Sequence, residues 1–305
     1  LYARFGNKSP NFCYAGHLDV VPPGNIKDWT INPFRPSIRK GHLIGRGAND
    51  MKSSVAAFVS AVSTFLSKNK KFNGSISLLI TGDEEGDAIN GTKKVVEYLK
   101  KRKEKIDFCL VGEPTNPNKL GEMIKIGRRG SLTGKLIIFG LQGHVAYPSR
   151  ANNPSTIIVN ILKELKEIKF DKGTNDFQPT NLEVTKININ NTADNVIPAT
   201  AEATFNIRFN NKHSSNSLKK RLNKIFKRIA KKHKSKFKIE YRVSGEAFLT
   251  KPNKTTFMIQ NIVKKITKLK PKLSTTGGTS DLRFIRTICP GLEFGLVGKT
   301  MHKVD

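Results

Sequence analysis

At 305 residues the chain is long enough for two domains and a substantial buried core. No run of about 18 uninterrupted apolar residues occurs, which excludes a membrane-spanning helix, and no signal-peptide pattern opens the sequence. With 54 Lys and Arg against 24 Asp and Glu, the formal charge of +30 sets two anionic partners, nucleic acid or a small acidic substrate, against a merely solvated basic surface.

Cys13, Cys109 and Cys289 are an odd set in apolar stretches, read as buried reduced thiols in a cytoplasmic protein; no Cys-x-x-Cys spacing makes them metal ligands. The chain lacks an initiator Met and stops three residues after His302, so a leading element and a final helix are expected beyond its two ends.

In chain order, an apolar strand from Phe12 leads to His17-Leu18-Asp19. The glycine-punctuated Gly45-Arg46-Gly47-Ala48-Asn49-Asp50 precedes a helix whose apolar face is Val55, Phe58, Val59, Val62, Phe65 and Leu66. Asp50 therefore sits at or just before the first helical turn, where an N-cap competes with a functional carboxylate. Strand Ser75–Thr81 runs into Asp83-Glu84-Glu85, a helix spans about Thr92–Lys101, and strand Ile106–Gly112 runs into Glu113. This alternation predicts an α/β layer with a largely parallel sheet and donors at its strand ends, where open α/β sheets place their sites.

The pattern changes after residue 129. Strand Leu132–Phe139, helix Pro154–Ile168, strands Leu182–Asn190 and Ala201–Phe209, a basic amphipathic helix with Leu218, Leu222, Ile225, Phe226 and Ile229 on one face, and strand Phe237–Val243 follow. Their β-α-β-β-α-β order predicts an inserted ferredoxin-like α+β layer over 130–244. The basic residues around that second helix read as a solvated face, with no recognised nucleic-acid module beside them. Residues 245–305 return to α/β character and supply a helix near Thr255–Leu269, the loop Thr275–Asp281, a strand near Leu292–Leu296, and His302. The expected fold is thus a discontinuous catalytic domain, 1–129 and 245–305, with a mostly parallel mixed sheet and an insert.

His17, Asp50, Glu85, Glu113 and His302 supply two imidazoles and three carboxylates. Such a set suits zinc-like ions rather than calcium, and it serves two ions if one carboxylate, best the short Asp50, bridges. Asp19 lies two residues beyond His17, on the same side of an extended chain, and can fix the tautomer of its ring. Glu84, next to Glu85 but off the metal, can move a proton from water to a leaving nitrogen. Singly, Glu84-Glu85 reads as an acidic turn and His17 as a core histidine; the combination favours a metallohydrolase.

The motifs His17-Leu18-Asp19-Val20-Val21-Pro22, Gly45-Arg46-Gly47-x-x-Asp50-Met51-Lys52, Asp83-Glu84-Glu85, Gly112-Glu113-Pro114-Thr115, Gly127-Arg128-Arg129-Gly130-Ser131, Gly143-His144-Val145-Ala146-Tyr147-Pro148, Asn195-Val196-Ile197-Pro198, Gly277-Gly278-Thr279-Ser280-Asp281 and His302-Lys303-Val304 resemble the dinuclear zinc peptidase and deacylase family that holds acetylornithine deacetylase and carboxypeptidase G. The resemblance implies two zinc ions per subunit, with cobalt acceptable in one site: His17 and Glu113 bind one ion, Glu85 and His302 the other, and Asp50 both. It implies Glu84 as general acid/base. It also implies a homodimer formed by the insert, with His144 reaching the partner's active site, and Lys125, Arg128 and Thr279 as substrate-carboxylate contacts. The expected reaction is amide hydrolysis of a small anionic N-acyl amino acid. The arginine-bearing turn, the His144 segment and the Gly-Gly-Thr-Ser-Asp loop favour a succinylated diamino dicarboxylic acid over other N-acyl groups. Two positions depart from the family pattern, Ser53 for a Gly and Gly298 for an Asn four residues before His302.

Overall fold

The computed structural model describes residues 1–305. In chain order its principal elements are β1 (Tyr2–Phe5), β2 (Asn11–His17), α1 (Ser53–Lys68), β3 (Ser75–Thr81), α2 (Thr92–Lys101), β4 (Phe108–Val111) and β5 (Met123–Lys125). Then follow β6 (Gly130–Phe139), α3 (Pro154–Glu167), β7 (Asn181–Asn188), β8 (Thr200–Phe209), α4 (Ser215–Lys232) and β9 (Lys236–Gly245). The chain closes with α5 (Lys254–Thr267), β10 (Lys272–Ser274), the single turn α6 (Leu282–Ile285) and β11 (Gly291–Glu293).

The backbone divides into two compact units, one of Leu1–Gly127, Leu249–Thr275 and Ser280–Asp305, the other of Arg128–Phe248 with Thr276–Thr279. In the first, seven strands form one mixed sheet in the order β1-β3-β2-β4-β11-β5-β10. β3, β2, β4 and β11 run parallel, while β1 pairs antiparallel at one edge and β5 pairs antiparallel with β11. The central strands are near-continuous apolar runs because both faces are covered. The sequence expectation missed β1, β5 and β10, each only three or four residues long. Strands that short carry no periodic signal.

In the second unit four antiparallel strands take the order β7-β8-β6-β9. Numbered within the unit this is 2-3-1-4, the ferredoxin-like arrangement. β8 alternates buried and half-buried residues along its length, as a strand with one packed face must. Gly134 and Gly130 lie opposite Phe205 and Phe209, and a Cβ on either would sit 2.2–2.3 Å from the facing ring. Glycine there makes room for two fully buried aromatics that pack with Leu136, Ile158, Leu222 and Phe226. Helix α4 starts on a Ser214–Ser217 capping box and buries Leu218, Leu222, Phe226 and Ile229, leaving its Lys and Arg residues on the remaining surface. All three cysteines are free and buried. No helix is long and apolar enough to cross a membrane.

Candidate metal centre

His17 is the last residue of β2 and is 1% exposed. Its neighbour in space, Asp50, does not cap α1, which begins at Ser53 without a side-chain cap. Asp50 instead lies in an extended conformation (φ −122°, ψ 99°) just upstream. The following Met51 is fully buried against Tyr14 and Ile80, with Val55 and Phe58 beside it, and this anchor fixes where the carboxylate points. Gly47 turns the loop at φ +82°, where a Cβ would meet Val20 at 2.5 Å, so only glycine fits.

Asp50 faces both imidazoles, one with each oxygen: His17 Nε2 is 3.2 Å from Oδ1 and His302 Nε2 is 3.3 Å from Oδ2. Glu113, leaving the end of β4, brings Oε1 to 4.0 Å from His17 Nε2, and Glu85 Oε1 lies 2.9 Å from His302 Nε2. The structure thus gathers all five expected donors into two trios, His17–Asp50–Glu113 and Asp50–Glu85–His302, with ligand atoms in each mutually within 4.8 Å. His302, 46% exposed, is held by the Asp50 loop. Asn49 donates to Val297 O and Thr300 Oγ1 at 2.9 and 3.2 Å, and Arg46 donates to Lys303 O at 3.2 Å. A cavity of about 500 Å³ lined by Trp29, His42, Arg46 and Met301 opens beside it.

Asp19 differs in detail from the sequence expectation. It lies beyond the end of β2, and the His17 ring donates from Nδ1 to its backbone carbonyl at 2.9 Å rather than to its carboxylate, whose Oδ1 is 3.5 Å away. Oδ2 instead accepts the backbone N–H of Glu85 at 2.9 Å. Asp19 therefore ties the end of β2 to the Glu84-Glu85 turn.

The electrostatics fit bound cations. Burial, then the charges of Glu84 and Asp50, push the Glu113 carboxyl well above the ordinary range. Burial and Asp281 push Glu84 up to about 8, and burial with Asp50 raises Glu85. Burial disfavours the His17 imidazolium, yet the Asp50 bond and the charge of Glu113 outweigh it and lift His17 to about 10. So many carboxylates crowded out of water demand positive charge among them, and two imidazoles with a shared carboxylate suit borderline divalent ions.

Four further residues were expected at the site: Lys125, Arg128, His144 and Thr279. Lys125 is buried on β5, its Nζ 2.8 Å from Met123 Sδ, opposite the fully buried Glu293 on β11. In the second unit Arg128 is buried and donates to Thr276 O at 3.2 Å, in the segment that also carries Thr279. His144 closes a two-residue strand, Gly143–His144, paired antiparallel with Val196–Ile197; it is exposed, and its Nδ1 accepts the Ala146 N–H at 3.1 Å. Gly298 fits its place because a Cβ would approach Pro114 O to 3.0 Å. Arg46, Asn49, Thr92 and Arg283 had no assigned part in the sequence reading, although the first two lie inside or beside the motif that announces Asp50.

An open α/β sheet with a two-cation donor set at its strand ends defines a hydrolase-type metal centre. The sequence profile of Peptidase family M20/M25/M40 matches residues 13–305, and the chain belongs to this family. It is 79% identical over its whole length to a succinyl-diaminopimelate desuccinylase of Pelagibacter ubique (strain HTCC1062), of which it covers 79%. Among solved structures, the M20 family metallo-carboxypeptidase Sso-CP2 from Sulfolobus solfataricus superposes with a TM-score of 0.76 at 19% identity, over 96% of this chain and 79% of that one. The Bacillus subtilis YXEP protein, a dinuclear metal binding peptidase from the M20 family, gives 0.65 at 13% identity, over 96% and 74%.

Proposed function

We propose that this chain hydrolyses N-succinyl-LL-2,6-diaminopimelate to succinate and LL-2,6-diaminopimelate, a step of lysine and diaminopimelate biosynthesis. The observation that carries this reading is Asp50, whose oxygens face His17 and His302 separately, in a chain 79% identical to a desuccinylase of that substrate. His17 and Glu113 would hold one zinc ion, Glu85 and His302 the second, and Asp50 both, with cobalt acceptable in one site. Bound there, the two cations supply Lewis-acid polarisation of the scissile carbonyl and activation of water.

The protein's own groups do the rest. The Glu84 carboxylate accepts the proton shed by the attacking water and returns it to the amide nitrogen, so the C–N bond breaks with a neutral amine leaving. In the metal-free chain burial and Asp281 raise its carboxyl to about 8; cations held beside it would draw that value back down, so Glu84 starts as the carboxylate that takes the proton. Asp19 fixes the His17 tautomer through its carbonyl and steadies Glu85 through its carboxylate. Lys125, Arg128 and Thr279 are assigned to the substrate carboxylates. The 130–244 unit pairs with its copy in a homodimer, and His144 donates to the oxyanion forming in the partner's centre.

A second reading, another N-acyl amino acid such as acetylornithine, is favoured only by Gly298, which offers no side-chain donor to the substrate. A substrate panel on the zinc-loaded protein separates the two. The succinylated substrate should exceed N-acetylornithine in kcat/KM by at least about 10²-fold, since missing carboxylates leave buried polar groups unpaired. Equal rates would favour the second reading.

A further inference from the structure

Glu84 presents a problem the five ligands do not solve. Its carboxylate lies within 4.8 Å of ligand atoms of both His17 and Glu85, so it is placed to become a metal ligand itself, and a ligating carboxylate cannot shuttle a proton. Something must hold it in reserve.

Arg283, on α6, is the cation that faces it. Its side chain is only 7% exposed, with Nη1 3.8 Å from Glu84 Oε1 and Nη2 3.9 Å from Asp281 Oδ1. The guanidinium lies 4.6 Å from the centroid of the Phe284 ring, and its Nε is buried without a hydrogen-bond partner. At 3.8 Å the contact with Glu84 is an ion pair rather than a hydrogen bond, which attracts the carboxylate while leaving its oxygens able to take and release a proton. Asp281 anchors the arrangement. Its Oδ2 accepts from Thr92 Oγ1 at 2.5 Å, and Thr92 Oγ1 lies 2.7 Å from Thr81 Oγ1. Since the Thr92 hydroxyl has one proton and gives it to Asp281, Thr81 must donate to Thr92. Thr81 ends β3, three residues before Glu84, so the chain Thr81–Thr92–Asp281–Arg283 begins and ends at the segment that carries Glu84.

We propose that Arg283, anchored by Asp281 and Thr92, is a positioning residue that holds the Glu84 carboxylate out of the metal coordination sphere and ready for proton transfer. The proposal rests on the hydrolase reading above, and the test keeps the two apart. Arg283→Ala should lower kcat about 10²-fold, the scale of a small misplacement of a reacting group, with KM within about twofold. Added to Glu84→Gln it should cause no further loss, because the group it positions is gone. Arg283→Lys should recover part of the rate. In the cobalt-loaded protein, Arg283→Ala should change the visible ligand-field spectrum as Glu84 joins the metal, and the double variant should not show that change. Should Arg283→Ala fail to fold, Arg283→Met, which keeps bulk against Phe284 without the charge, is judged by the same readouts. An unchanged kcat, a loss confined to KM, or a full further loss in the Glu84→Gln background would overturn the proposal. A wild-type rate for Glu84→Gln alone would instead sink the acid/base assignment beneath it.

Discussion

Metal loading of this centre should release protons, and the structure sets the size of the effect. In the metal-free chain the His17 imidazolium is disfavoured by burial but lifted to about 10 by its bond to Asp50 and the charge of Glu113. A cation can take the ring only when it is neutral. At pH 7, about three units below that value, removing the proton costs about 4 kcal/mol and weakens apparent affinity roughly 10³-fold. Each unit of rising pH should recover about tenfold until His17 titrates. Glu113 and Glu85, both raised first by burial, act with the same sign. Linkage has a counterpart in stability. A folded-state value above the free imidazole value of about 6.5 gives His17 a stabilising contribution that is complete below pH 6.5 and lost as pH rises through about 10. The raised carboxyls likewise make the metal-free fold lose stability as pH rises, so chelated protein should melt progressively lower from pH 6 to 9 while zinc-loaded protein does not. Calorimetric titration with zinc in buffers of different ionisation enthalpy counts the protons directly. An affinity that is flat between pH 6.5 and 9, with no proton released, would refute the reasoning.

Three further outcomes are expected. Burial pushes the Asp171 carboxyl up, but hydrogen bonds from Thr180, the Gly173 N–H and Asn210 outweigh it and bring it down to about 2. Its contribution, on the order of 1–2 kcal/mol, is present above about pH 4 and fades as pH falls through 2, so Asp171→Asn should lower the melting temperature at pH 7 and flatten acid denaturation between pH 4 and 2. The +30 charge should attract an anionic substrate, and raising salt from 20 to 500 mM, which shortens the screening length from roughly 20 to 4 Å, should raise KM several-fold with kcat unchanged; tight nucleic-acid binding that survives physiological salt would speak for a different role. Mixing a His144→Ala chain with a Glu84→Gln chain should restore one working site per heterodimer, and a dead mixture with subunit exchange confirmed would remove the trans role of His144.

What the sequence made legible was whatever repeats or ends. The alternation in β8 and the apolar stripe of α4 are periodic, and they appear in the structure within a few residues of their expected bounds. His17, Glu85 and Glu113 were recognisable because each follows an apolar run that could only be a strand. Asp50 was recognisable as a donor but not in its conformation, because its direction depends on where Met51 is buried, a tertiary fact with no local signature. The same holds for the Asp19 carbonyl, since nothing in a residue's identity says whether its side chain or its backbone will orient a neighbouring ring. Arg46 and Asn49 clamp a segment some 250 positions away, and only the assembled fold brings the two together.

Among the residues that escaped the sequence reading, Arg283 is the one that manages charge at the site. Asp281 and Glu113 are buried acids and Glu84 a half-buried one, all with carboxyls that burial raises, and an uncompensated cluster of that kind is unfavourable. The two imidazoles, and cations held among these donors, would offset most of it. Arg283 offsets the part nearest Glu84, the one carboxylate that must stay unligated, and this makes a permanent protein cation more useful there than a third metal. A sequence motif announces ligands because metals need particular atoms at particular spacings, whereas a compensating charge can arrive from any element that passes within 4 Å. The acid/base residue of such a site is therefore best understood together with the cation that faces it, and in this chain that cation comes from α6, nearly 200 residues downstream of Glu84.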